Sequence, residues 1–138
     1  MRQRYLLDTN AVIAILNDRP PSVRKKLRTA LKRGEVLVSS IVFVELWYGV
    51  AKSSCTKENA ERLRVFMAGD MTPIPFDEDD AKAAGEVRAA LEIAGKTIGA
   101  YDLLIAGQAL RLGATLVTAN QGELGDVPGL KWENWAHA

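Results

Sequence analysis

Apolar positions along this chain fall into short continuous runs separated by stripes at helical spacing. Tyr5, Leu6 and Leu7 form such a run, the pattern of a short buried strand. Ala11 to Leu16 continue as a helix, with Thr9 or Asn10 available as its cap. Asn17 to Pro21 break the pattern, and Pro20 and Pro21 suit the first turn of a new helix. In it Val23, Leu27, Ala30 and Leu31 recur on one face until Gly34. Glu35 to Ser39 reads as a second strand, with Ser40 as the cap of a helix over Ile41 to Lys52. Thr56 is the expected N-cap of a helix to Ala68 that turns Leu63, Phe66 and Met67 inward. Thr72 to Phe76 is extended, and its two prolines suit a sheet edge. Asp77 caps a longer helix with Asp80 at N3, a capping-box variant whose acidic start also suits the helix dipole. Ala81, Ala84, Val87, Ala90, Leu91 and Ala94 mark its buried stripe, and Gly95 ends it. Ile98 to Asp102 lead into an apolar helix that stops near Leu112 and Gly113. Thr115 to Thr118 is a strand, Ala119 to Leu130 is rich in turns, and Leu130 to Trp132 form a last edge strand. Strands alternating with helices predict an α/β fold around a parallel sheet.

The chain has 138 residues, with no repeat, linker or low-complexity tract, which predicts one domain over residues 1–138. A net charge of +1 selects no partner in bulk, but the charge is unevenly spread. Arg19 to Arg33 carries Arg19, Arg24, Lys25, Lys26, Arg28, Lys32 and Arg33 without an acid, a face that either is merely solvated or holds nucleic-acid phosphates. Cys55 is the only cysteine and His137 the only histidine, which excludes an intrachain disulfide, a thiolate metal site and histidine-based triads or zinc centres. Met1 to Arg4 lack the apolar core of a signal peptide, and no apolar run reaches membrane-spanning length, so the cytosol is the expected compartment.

Any chemistry therefore falls to carboxylates, hydroxyls, amides and basic groups. Tyr5 to Leu16 contains only one charge, Asp8; Ile41 to Ala51 only Glu45; Ile98 to Leu110 only Asp102. Each alone could be satisfied by a helix cap, a backbone N–H or an arginine. Together, three acids set among apolar residues near the starts of helices ask for a common partner, because convergent carboxylates repel unless a cation joins them. Hard divalent ions prefer such oxygens. An acidic pocket holding one suits phosphodiester chemistry, where the ion lowers the pKa of bound water and stabilises the leaving oxyanion; two ions would sit about 4 Å apart.

The same residues resemble a known family. Leu6-Leu7-Asp8-Thr9-Asn10, Ser39-Ser40 with Val44-Glu45-Leu46-Trp47-Tyr48-Gly49, Ile98-Gly99-Ala100-Tyr101-Asp102 with Leu103 to Ala106, and Leu116-Val117-Thr118-Ala119-Asn120 look like the successive motifs of PIN-domain ribonucleases. More closely, they look like VapC toxins of type II toxin–antitoxin systems, as does the ending Val127-Pro128-Gly129-Leu130 with Glu133-Asn134-Trp135. The resemblance implies a PIN-like three-layer α/β/α fold with a central, mostly parallel sheet and a Mg²⁺ or Mn²⁺ pocket at its carboxyl edge. It implies Asp8, Glu45 and Asp102 as catalytic acids and metal ligands, with Glu123 as the candidate fourth acid. Thr9, Asn10, Ser40, Thr118 and Asn120 match positions that support the pocket. It further implies a structured RNA substrate, with initiator transfer RNA as the suggested target, a VapB-type antitoxin and a homodimer. Trp47 and Tyr48 would then serve an interface or simply the core.

Two other classes fit less well. A PIN-like module that binds RNA or protein without cutting would share the fold but carry a broken acid set, and the first three acids here are intact. A phosphatase or phospho-receiver domain would need a second aspartate after Asp8-Thr9 or an acceptor aspartate at another strand end.

Overall fold

The computed structural model describes residues 2–136; Met1, His137 and Ala138 lie outside the described residues. In chain order the elements are β1 (Gln3–Leu7), α1 (Thr9–Asn17), α2 (Pro21–Arg33), β2 (Gly34–Ser39), α3 (Ser40–Lys52), α4 (Thr56–Met67), β3 (Thr72–Ile74), α5 (Glu78–Ile93), α6 (Ala100–Leu112), β4 (Thr115–Val117), α7 (Gln121–Leu124) and β5 (Trp132–Glu133). The strands form one five-stranded sheet in the order β3-β2-β1-β4-β5, and every pairing is parallel.

The unbroken apolar runs explain that choice. Tyr5 to Leu7, Val36 to Val38 and Thr115 to Val117 are buried residue after residue, so both faces of the central strands are covered by helices, as parallel sheets require. The short strands β3 and β5 lie at the two edges. Pro73, which cannot donate to a ladder, sits in β3 as the sequence predicts.

Several caps fall one residue from where the sequence puts them. Asp8, and neither Thr9 nor Asn10, caps α1: its backbone is extended and its Oδ1 accepts from Ala11 N at 2.8 Å. Ser39 caps α3 by accepting from Ile41 N at 3.1 Å, while Ser40 is already helical and its Oγ accepts from Phe76 N. At α4 the cap is Cys55, which makes no side-chain cap bond, and Thr56 is the first helical residue. The Asp77–Asp80 capping box forms as expected.

The stripe of α5 needs a larger correction. Ala84, Val87 and Leu91 are buried, but Ala81, Ala90 and Ala94 are exposed. The position one turn before Ala84 on the buried stripe is Asp80, which has no solvent exposure. Gln108 Nε2 donates to its Oδ2 at 3.0 Å, and Arg111 on α6 makes an ion pair with its Oδ1. Gln108 also donates to Pro75 O at 2.9 Å, so α6 grips both the start of α5 and the loop before it. The helices also approach closely at Gly107, where a Cβ would lie 2.5 Å from Ala84 Cα.

Candidate active site

The strand order reverses beside β1: the chain adds β2 and β3 on one side, then β4 and β5 on the other. Open α/β sheets place ligands outside the carboxyl ends of strands at such a switch. Here that crevice lies between β1 and β4, and Asp8 N donates to Val117 O at 3.1 Å across it. Asp8 therefore stands at the crevice mouth by topology, directly after the last residue of β1.

The other acids come from three helices that start at the same edge. Glu45 lies on α3, which follows β2 without a break, and its Oε1 accepts the Thr9 hydroxyl at 2.6 Å. Asp102 occupies the first turn of α6, and Glu123 the first turn of α7, just beyond β4. Asn120, the N-cap of α7, makes no side-chain cap bond. Its Nδ2 instead donates to Asp102 Oδ2 at 3.1 Å and to Glu123 Oε2 at 3.0 Å. Thr118 is buried, and its Oγ1 accepts from Asn120 N at 2.9 Å; its side chain also lies close enough to Asp8 to favour the ionised carboxylate.

Electrostatics link the four acids. Burial pushes the Asp8 carboxyl above the usual aspartate range; bonds from Thr118 and the Ala11 N–H oppose this, and the Asp102 and Glu45 charges add to the rise. Burial also raises Asp102, against the Asn120 hydrogen bond and with the Glu123 and Glu45 charges. Among the described residues none of these four carboxylates forms a salt bridge, although Arg or Lys neutralises acids at several other places. Asp8 is only 6% exposed, so its charge is costly there without a counter-charge.

The donor set fits a hard divalent cation, since every candidate atom is a carboxylate, hydroxyl or amide oxygen. Among the described residues no three His, Cys, Asp or Glu side chains are gathered tightly enough to cage an ion by themselves. Mg²⁺ needs no such cage, because it commonly takes one or two carboxylates and keeps several waters.

The structure thus brings Asp8, Glu45, Asp102 and Glu123 to one edge, with Thr9 and Asn120 hydrogen-bonded to them and Thr118 holding Asn120 N. Asn10 is exposed on the first turn of α1, and Ser40 binds the Phe76 N–H of the β3–α5 loop rather than an acid. Sequence reading missed Asp80, Gln108 and Arg111 as the group that fixes α6, the helix carrying Asp102. A polar Gln108 inside an apolar helix, and Asp80 in phase with Ala84 and Val87, were the available signals.

Comparison with known proteins gives the family. Residues 5–130 match the PIN domain. The chain is 40% identical to Ribonuclease VapC2 of Rickettsia felis, over 95% of this chain and 97% of that protein. It is 33% identical to the tRNA(fMet)-specific endonuclease VapC of Shigella flexneri, over 96% of this chain and 98% of that one. Among solved structures, it superposes with a TM-score of 0.91 and 38% identity on a chain of VapBC2 from Rickettsia felis bound to a promoter DNA fragment, covering 96% of this chain and 99% of that chain. A central parallel sheet with acids at its switch point, matched along almost its whole length, makes this chain a PIN-domain protein of the VapC ribonuclease family.

Proposed function

We propose that this chain is a metal-dependent endoribonuclease toxin that hydrolyses a phosphodiester of structured RNA, with transfer RNA, the initiator in particular, as the substrate. The observation that carries the reading is the meeting of Asp8, Glu45 and Asp102 at one sheet edge, where burial and mutual repulsion both raise Asp8 and Asp102. That arrangement is unfavourable without a cation. The transfer-RNA target rests on the Shigella flexneri relative, whose name states that specificity.

In this reading Asp8 and Asp102 hold Mg²⁺ or Mn²⁺, Glu45 helps through water, and Glu123 adds charge at the outer side. When bound, the ion lowers the pKa of its water and stabilises charge on the phosphoryl and leaving oxygens. The protein's own contribution is orientation and proton handling. The Ala11 N–H fixes the Asp8 carboxylate, and Asn120 fixes Asp102 through Oδ2. Thr9 holds Glu45 by Oε1, which leaves Oε2 to accept a proton from the attacking water.

A VapB-type antitoxin and a second copy of this chain are the proposed protein partners. The antitoxin rests on the VapBC2 complex among the neighbouring structures. Val44 and Tyr48, at 53% and 64% exposure, flank Glu45 on α3 and give such a partner apolar surface beside the acids. The proposed place of action is the cytoplasm, where transfer RNA is found; among the described residues no helix is long and apolar enough to cross a membrane.

The test is to map RNA ends after brief expression of the wild type beside Asp8→Asn, and to repeat cleavage of total transfer RNA with and without EDTA. Cleavage by wild type only, lost on chelation, is expected. Full toxicity or cleavage by a well-folded Asp8→Asn protein would refute the assignment. RNA binding without metal-dependent cutting would favour the regulatory-module alternative.

A further inference from the structure

We propose that a basic groove between α2 and the segment after β5 binds the sugar–phosphate backbone of the RNA substrate, separately from the acidic pocket. The inference rests on the endoribonuclease reading above and adds where the polyanion is captured.

Between Pro21 and Arg33, α2 carries Arg24, Lys25, Lys26, Arg28, Lys32 and Arg33 and no acid. Val23 and Ala30 are buried, and Leu27 and Leu31 pack against the core, so the cations face outward. Among the described residues only Arg24 has an acidic partner, Asp18 at 3.3 Å. The outward face is concave: Lys25, Lys26, Thr29 and Arg33 form one wall of a cavity of about 490 Å³ whose floor is Tyr5 and Trp135.

The floor is built in advance. Tyr5 and Trp135 are 2% and 3% exposed, with ring centroids 5.9 Å apart. Ser22 Oγ donates to Trp135 O at 3.1 Å, fastening α2 to this segment. Trp135 Nε1 donates to Glu133 Oε1 at 3.0 Å, which positions the lone acid in the lining, and its single negative charge is outnumbered by Lys25, Lys26 and Arg33. Both rings are spent on packing and cannot stack on bases. What the groove offers a ligand is positive charge and hydroxyls, which suits phosphates and reads no sequence.

The same segment adjoins the acidic site. Glu133 O accepts from Thr118 N at 2.9 Å, and Asn134 Nδ2 donates to Gln121 Oε1 on α7 at 3.3 Å. Four carboxylates at the sheet edge repel a polyanion, and a net charge of +1 gives no long-range attraction. Capture therefore requires concentrated positive charge elsewhere on the surface, and α2 is the helix with cations and no acids.

The test uses full-length protein with Asp8→Asn to prevent cutting. Transfer-RNA affinity is measured over a range of salt concentrations for this parent and for a version with Lys25→Gln, Lys26→Gln and Arg33→Gln added. Each lost phosphate contact removes about 0.7–0.9 from the slope of log K against log salt. The triple variant should bind at least about ten-fold more weakly at low salt, with a slope shallower by about two. Lys82→Gln with Arg88→Gln, on cations paired with acids on α5, should change neither. The swap Lys25→Arg, Lys26→Arg and Arg33→Lys should keep parental binding, which separates charge from folding. In the cleaving protein, KM should rise with kcat unchanged.

Unchanged affinity, slope and KM in a wild type that cuts RNA would overturn the groove alone. A wild type that cuts no RNA, with an Asp8→Asn parent that binds none, would overturn the nuclease reading and the groove with it.

Discussion

The Thr9 hydroxyl donates to Glu45 Oε1 at 2.6 Å and so ties the residue after the first acid to the second acid, 36 positions away. This bond fixes which carboxylate oxygen of Glu45 remains for chemistry. Thr9→Val keeps the shape and removes the donor. It should lower kcat about ten-fold, the equivalent of about 1.4 kcal/mol, and Thr9→Ser should restore most of it. Single-turnover cleavage rates check this; a Thr9→Val rate equal to wild type would remove Thr9 from the site.

Asp8 both caps a helix and carries an uncompensated charge, and two substitutions separate those roles. Asp8→Asn keeps a good cap and removes the charge, so without metal it should melt at or above the wild-type temperature. Asp8→Ala loses the Ala11 N–H bond as well, and should be less stable than Asp8→Asn by about 0.5–2 kcal/mol. The raised carboxyl of Asp8 stabilises the fold fully only below its unfolded value, and that contribution is lost as pH rises through the folded pKa. The advantage of Asp8→Asn over wild type should therefore grow as pH rises above the ordinary aspartate range and level off once the folded carboxyl is ionised. Thermal melts in EDTA across that range test it.

A divalent ion should reverse that order. An ion that binds only the folded state at a hundred times its Kd adds about 2.7 kcal/mol. Wild type should gain this on saturation with Mn²⁺ or Mg²⁺ and lose it on chelation, while Asp8→Asn gains much less. Equal gains in the two proteins would place the ion elsewhere.

Asn120 holds Asp102 down while burial and the neighbouring charges of Glu123 and Glu45 raise it. Asn120→Leu removes the opposing bond, so Asp102 should ionise at higher pH. The acid limb of the cleavage rate should then move to higher pH than in wild type. Glu123→Gln removes a neighbouring charge and should move the same limb the other way.

Asp80 and Arg111 should respond unequally. Asp80 is wholly enclosed; burial pulls its carboxyl upward, but bonds from Arg111, the Asp77 N–H and Gln108 outweigh that and hold it below the usual range. Arg111→Met strands the buried carboxylate and should cost about 3 kcal/mol, as when one partner of a buried pair is removed. Asp80→Asn leaves a partly solvated arginine behind and should cost nearer about 1 kcal/mol. The stabilisation by Asp80 is present above its unfolded pKa and fades as pH falls through the folded one. Denaturant melts of the two variants should rank them in this order.

Most of the architecture was legible because a parallel sheet leaves a plain mark. Strands buried on both faces read as unbroken apolar runs at Leu6, Val36 and Leu116, and the helices between them keep their stripes. Positions that depend on a single dihedral were not legible. Ser39 and Ser40 both suit a cap, and only the extended backbone at Ser39 decides between them. Asp80 was misjudged for a different reason: its local role in the capping box is real, and it hid a distant role that only Arg111 and Gln108 reveal. Asp8, Glu45 and Asp102 stood out as isolated charges, whereas the Asn120 bridge from Asp102 to Glu123 depends on a tertiary turn.

The two walls of the crevice come from segments far apart in the chain: Leu7 of β1 pairs with Val117 of β4, and Asp8 N bonds Val117 O. During synthesis the first two acids leave the ribosome long before Asp102, and the crevice has only one wall until β4 emerges. A chain that stops before Thr115 therefore holds Asp8 and Glu45 without the second wall of the crevice. The acidic pocket is thus a product of tertiary pairing between distant segments, and no local stretch of the chain contains it.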